Sequence, residues 1–89
     1  MALQLLLRND VTEFDGWKDA FDADYEARMH AGLSVLQIWR AEDAPGTVWI
    51  LLDVNDAGKA RAYLRGEHLR LLYERAGVTD SEHHLLETA

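Results

Sequence analysis

The sequence predicts an α+β fold: a four-stranded antiparallel sheet with helices on one face. Three observations predict it. Runs rich in Leu, Val, Ile and Trp lie at Leu3–Arg8, Leu33–Ala41 and Thr47–Val54, with a weaker run at His83–Glu87, and such runs read as strands. Segments of helical period stand before and after the central pair of runs. The single proline, Pro45, precedes Gly46 between those two runs, which suits a type II turn in an antiparallel hairpin with its loop near Glu42–Gly46.

The elements follow in order. Leu3–Arg8 is the first strand. A helix then runs towards Gly32, with Thr12 or Asp15 as its N-cap, acidic residues crowding its first turns and Gly32 as its stop. The hairpin follows. Asn55 or Asp56 caps a second helix from about Ala57 to Arg65, broken at Gly66, and a third helical stretch covers about Glu67 to Ala76 and stops at Gly77. The order β-α-β-β-α-(α)-β is the ferredoxin-like, split βαβ plan.

Both sheet faces carry large apolar side chains. Val48, Ile50, Leu52 and Val54 share one face of their strand, and Trp49 and Leu51 the other. Leu36 and Ile38 alternate with Val35, Gln37 and Trp39, so Trp39 and Trp49 share a face when the hairpin is in phase. The helices of one chain cover only one face, so the other is expected to meet a second copy related by a twofold axis.

Composition narrows the function. Eighty-nine residues form one domain, 1–89, with a single thin core. Cysteine is absent, which removes disulfide and thiol chemistry. Sixteen acidic against nine basic residues give a net charge of −7, and that charge disfavours nucleic acid and anionic membrane surfaces as partners. The longest apolar run, Leu5–Leu7, is far too short for a membrane span. Met1–Arg8 lacks the pattern of a signal peptide, so a cytoplasmic location is expected. No phosphate-binding glycine loop, nucleophile elbow or metal-ligand spacing is present, and neither a metal nor a cofactor is expected.

The polar residues aimed inward are few. Asp15, Asp19, Asp22 and Glu26 form one solvated stripe of the first helix, while Phe14, Trp17, Ala20, Phe21, Tyr25, Ala27 and Ala31 form the apolar face. Asp24 and Arg28 interrupt that apolar face four residues apart, a spacing at which they can pair. His68 adjoins the Leu69, Leu72, Tyr73, Ala76 stripe and can act as acid or base. Asp24 and His68 are the candidate catalytic groups. Trp17, Phe21, Arg28, Trp49 and Tyr73 are the candidate ligand-binding residues, because aromatic walls suit a planar ring and the Arg28 fork suits a carboxylate, enolate or quinone oxygen.

Several strings carry a resemblance: Asp15-Gly16-Trp17-Lys18-Asp19-Ala20-Phe21-Asp22, then Arg28 and Gly32, Trp39-Arg40, Asp43-Ala44-Pro45-Gly46-Thr47-Val48, and Ala76-Gly77-Val78. With the two-sided sheet, the chain resembles the dimeric α+β-barrel proteins related to antibiotic-biosynthesis monooxygenases, and is similar to short bacterial proteins labelled "cyclase". The resemblance implies a homodimer with face-to-face sheets and a pocket between sheet and helices. It also implies oxidation of polycyclic or quinol molecules without metal or flavin, or cyclisation of polyketide-like chains. A haem-degrading branch uses an Asn, Trp and His set, which Asn9, Trp49 and His68 echo in residue type but not in local context. The alternative is a non-catalytic ligand-binding or structural dimer with a vestigial pocket.

Overall fold

A computed structural model of the chain describes residues 2–89. The elements are β1 (Leu3–Val11), α1 (Phe14–Ala23), α2 (Tyr25–His30), β2 (Leu33–Ala41), β3 (Ala44–Val54), α3 (Ala57–Arg65), α4 (Glu67–Ala76) and β4 (Val78–Glu87). The strands form one antiparallel sheet in the order β2-β3-β1-β4, which is the ferredoxin-like arrangement. Among the described residues no helix is long and apolar enough to cross a membrane.

Alternation builds the core. Leu5 and Leu7 of β1 and Val48, Ile50 and Leu52 of β3 point to the helical side and are buried, packing against Trp17, Phe21, Ala60 and Ala76. Fully burying a side chain of the Leu or Ile class stabilises by roughly 1.5–3 kcal/mol. Gly32 and Gly77 end their helices with φ of +73°, the left-handed conformation that favours glycine. Asp56 caps α3 by accepting from Lys59 N at 3.0 Å.

Four local expectations are corrected. The N-cap of α1 is neither Thr12 nor Asp15. Glu13 takes that place and accepts from Asp15 N and Gly16 N, while the Thr12 backbone N–H is committed to Gly77 O at 3.0 Å. The first helical segment is two helices, because Asp24 closes α1 and opens α2 with φ −88° and ψ 11°. That step turns Tyr25, expected on the apolar face, outwards into solvent. The hairpin turn is Glu42–Asp43, since Ala41 already pairs with Ala44. Pro45 and Gly46 lie inside β3, where the register shifts, and such an irregularity tolerates a residue with no N–H to donate.

The fourth correction concerns β2. Val35 pairs with Leu52, yet Gln37 pairs with Leu51, so Leu36 is one extra residue in β2. Val35 therefore shares the helical side with Ile38, and simple alternation fails. Beyond the bulge, Trp39 pairs with Trp49 on the outer face as the spacing predicts. That face also holds Leu6, Leu51 and Leu86, and at one end Arg8. The Arg8 guanidinium binds Asp10 at 2.5 Å, Glu82 at 2.5 Å and Asp80 at 3.2 Å. It holds the Asp10 and Glu82 carboxyls below the usual range, with bonds from Thr47 and His84 adding to the effect.

Candidate functional site

Asp24 sits at the α1–α2 step with only 7% of its surface exposed. Tyr63 Oη donates to its Oδ2 at 2.6 Å, and His68 Nε2 lies 2.5 Å from its Oδ1. A carboxylate offers only acceptors, so His68 is assigned the proton on Nε2. One buried acid thus ties α3 and α4 to the α1–α2 step. Burial, with the neighbouring carboxylate, holds the Tyr63 phenol well above its ordinary range. The His68 side chain is 52% exposed, so the trio runs from the interior to the surface. Sequence reasoning singled out Asp24 and His68 separately and missed Tyr63. Its signal is Ala60 three residues earlier, which marks the buried face of α3.

Arg28 departs from expectation in its partner. It is buried, at 5% exposure, but its guanidinium is not paired with Asp24. Nη1 donates to the Phe21 carbonyl at 2.5 Å and the group stacks over the Phe21 ring, 3.8 Å from its centroid. The Asp24 oxygens are taken by Tyr63 and His68, which reach them from α3 and α4. Burial lowers the Arg28 pKa, with Tyr63, Asp24 and Asp22 opposing the shift. Among the described residues no sealed side-chain nitrogen or oxygen lacks a partner. The N–H groups of Arg28 that Phe21 does not use therefore reach open space. That space is a cleft of about 430 Å³ between α1–α2 and β2, walled by Lys18, Phe21, Arg28, Met29, Val35 and Ile38. Lys18 is held at the rim by Asp22, at 2.7–2.8 Å.

The remaining predicted residues lie elsewhere. Trp17 is 1% exposed, stacked on Phe21 with ring centroids 4.8 Å apart, and fills the sheet–helix space instead of lining a pocket. In the amide orientation that satisfies both ends, Asn9 accepts from Trp17 Nε1 and donates to Tyr73 Oη, each at 3.2 Å. Burial pushes the Tyr73 phenol up to about 12. Tyr73 lines a different groove, against α3 and β4. Trp49 is on the outer face, away from the cleft. Phe21 and Arg28 are thus together in the cleft, Asp24 and His68 are together behind it, and Trp17, Tyr73 and Trp49 belong to neither. Among the described residues no three metal-ligating side chains gather.

No family model and no curated protein matches this sequence. Solved structures do match. A protein described as a "putative antibiotic biosynthesis monooxygenase" from Bordetella bronchiseptica superposes with a TM-score of 0.79 at 10% identity, over 99% of this chain and 97% of that one. A mutant of SnoaB, described as a cofactor-independent oxygenase from Streptomyces nogalater, gives 0.74 at 14% identity, over 98% and 92%. A conserved protein from Methanosarcina mazei Go1 gives 0.74 at 13%, over 100% and 94%. At such identities the likeness shows the fold: this chain has the α+β ferredoxin-like fold of the antibiotic-biosynthesis-monooxygenase-like proteins.

Proposed function

We propose that the chain acts as a homodimer, joined through its outer sheet face, in which each subunit binds a flat, mostly apolar small molecule bearing an anionic or carbonyl oxygen. The cleft between α1–α2 and β2 is the binding site. One observation carries this reading: Arg28 is a buried cation that forms no ion pair and opens to a cleft in which the Asp22 carboxylate is already bound to Lys18. A desolvated charge without a counter-ion is costly, and a ligand oxygen would relieve that cost. The planar fork suits a carboxylate, an enolate or a quinone oxygen. Phe21, Val35, Ile38 and Met29 supply apolar contact for a ring.

The chemistry proposed is oxygenation without metal or flavin, or cyclisation of a polyketide-like chain. The fold shared with SnoaB supports that class, and the Asp24–His68 pair supports a general base. Asp24 would fix the ring of His68 while its other nitrogen takes a proton. A second reading is a non-catalytic binder. It is favoured by the position of His68, which is not among the walls of the cleft.

Thermal-shift titration with a planar aromatic carboxylate tests the binding site. Stabilisation of the wild type that is lost in Arg28→Met is expected. Stabilisation by nucleotides and not by aromatic acids refutes it. Oxygen uptake with a polycyclic quinol then separates the two readings. Uptake that disappears in His68→Gln while ligand binding persists marks an enzyme, and binding without uptake marks the binder.

A further inference from the structure

A second groove lies on the opposite side of the molecule, where α3 and α4 leave the inner face of β4 uncovered. In β4, Ser81 pairs with Asn9, His83 with Leu7 and Leu85 with Leu5. These three side chains therefore point to the helical side, where Ser81 and His83 stay exposed and Leu85 is half-buried against the core. Two adjoining hollows, of about 410 and 230 Å³, share Leu64, Arg65 and His83 and form one trough along the strand.

The charges of this trough are distinctive. Arg61 and Arg65, one turn apart on α3, both line it, and among the described residues neither makes a side-chain hydrogen bond or ion pair. The other charged residues at its edge are already satisfied. Glu67 is bound to Arg70, and Glu82 to Arg8 and His84. Two uncompensated guanidiniums and an imidazole thus face an apolar floor of Leu64, Leu69 and Leu85, in a protein of net charge −7. At the inner end the Tyr73 ring closes the floor, its phenol oxygen accepting from Asn9.

We infer that this trough binds a carboxylate bearing a medium-length apolar chain, with its head between Arg61, Arg65 and His83 and its chain along Leu64 and Leu69 towards Tyr73. The argument is complementarity: paired arginines at i, i+4 offer forked donors to one carboxylate, and half-buried Leu64 and Leu85 withdraw apolar surface from water when an alkyl chain covers them. The stretch from Ser81 to Leu85 spans roughly 13 Å at about 3.3 Å per residue, the length available to head and chain together. The inference is independent of the cleft at Arg28.

Titration with decanoate, decanol and decyltrimethylammonium, followed by methyl NMR, tests it. Decanoate is expected to shift the Leu64 and Leu85 methyls and leave Met29, in the cleft, unmoved. Its affinity is expected to fall at least tenfold in the double variant Arg61→Gln/Arg65→Gln and to persist in Arg28→Met. Equal binding of decanol, or decanoate affinity unchanged in the double variant, overturns the inference. So does a shift confined to Met29. Circular dichroism of the double variant, expected to match the wild type, separates lost binding from lost folding.

Discussion

The Asp24 carboxylate accepts from Tyr63 Oη at 2.6 Å and lies 2.5 Å from His68 Nε2, so a residue 39 positions before one partner and 44 before the other holds both. The contact joins α3 and α4 to the α1–α2 step, four helices through one acid. Tyr63→Phe is expected to cost about 1–3 kcal/mol, the usual range when a buried group loses its bond to a charge. Asp24→Ala should cost more, since it strands both partners. Chemical denaturation of the single and double variants should give a coupling energy of about 0.5–3 kcal/mol. A coupling near zero would show that the Tyr63 contact carries no stability.

Arg28 behaves oppositely. Its charge is buried without an ion pair, so Arg28→Met should leave stability within about 1 kcal/mol of the wild type, because the lost bond to the Phe21 carbonyl and the lost stacking on its ring are offset by the removed cost of burying the charge. Had Arg28 paired with Asp24, the same change would cost several kcal/mol. Urea midpoints distinguish the two arrangements.

Acid should weaken the fold through the outer-face cluster. Arg8 holds Asp10 and Glu82 below their ordinary range. Their folded values lie below the unfolded ones, so their contribution is complete above about pH 4.5 and fades as pH falls through the depressed values. Arg8→Gln should flatten that part of the stability–pH curve. An unchanged acid limb in Arg8→Gln would remove the cluster from the account.

Gly77→Ala should destabilise by more than the roughly 1–2 kcal/mol that the left-handed conformation alone costs a residue with a Cβ. Its φ is +73° and an added Cβ would lie 2.5 Å from Thr12 Oγ1. The double variant with Thr12→Ser keeps the hydroxyl and should recover little, whereas Thr12→Gly should recover the steric part but not the backbone part. Melting temperatures report both.

The proposed dimer makes a hydrodynamic prediction. A sheet-on-sheet interface of obligate type would bury roughly 1,000 Å² per copy, a sizeable share of the 5482 Å² that one chain exposes. Sedimentation at micromolar concentration should give twice the 10.1 kDa chain mass, and Trp49→Glu should halve it. A wild type running as a clean monomer would sink this proposal.

The sequence made the element order legible because glycine stops, caps and strand composition are local signals. Gly32 and Gly77 announce their conformation within one residue. It did not disclose the Leu36 bulge or the turn at Glu42–Asp43, since both depend on register against β3, a pairing that no short window contains. The site divides in the same way. Helical spacing placed Asp24 and Arg28 inside correctly. Their separation into different polar groups could not be read, because it depends on Tyr63 and His68 arriving from helices far along the chain.

The extra residue at Leu36 bears on how the protein keeps to itself. β2 is an outer strand of the sheet, and a flat outer strand is a template for another chain. The bulge between Val35 and Gln37, with the second irregularity after Arg40, bends and twists that rim so that a straight partner cannot zip along it. At the opposite rim β4 is long and regular over most of its length, and there Asp80, Glu82 and Glu87 stand in for the missing bend. Open-ended stacking is thus discouraged by shape on one side and by charge on the other, leaving the broad outer face as the surface free for a closed association.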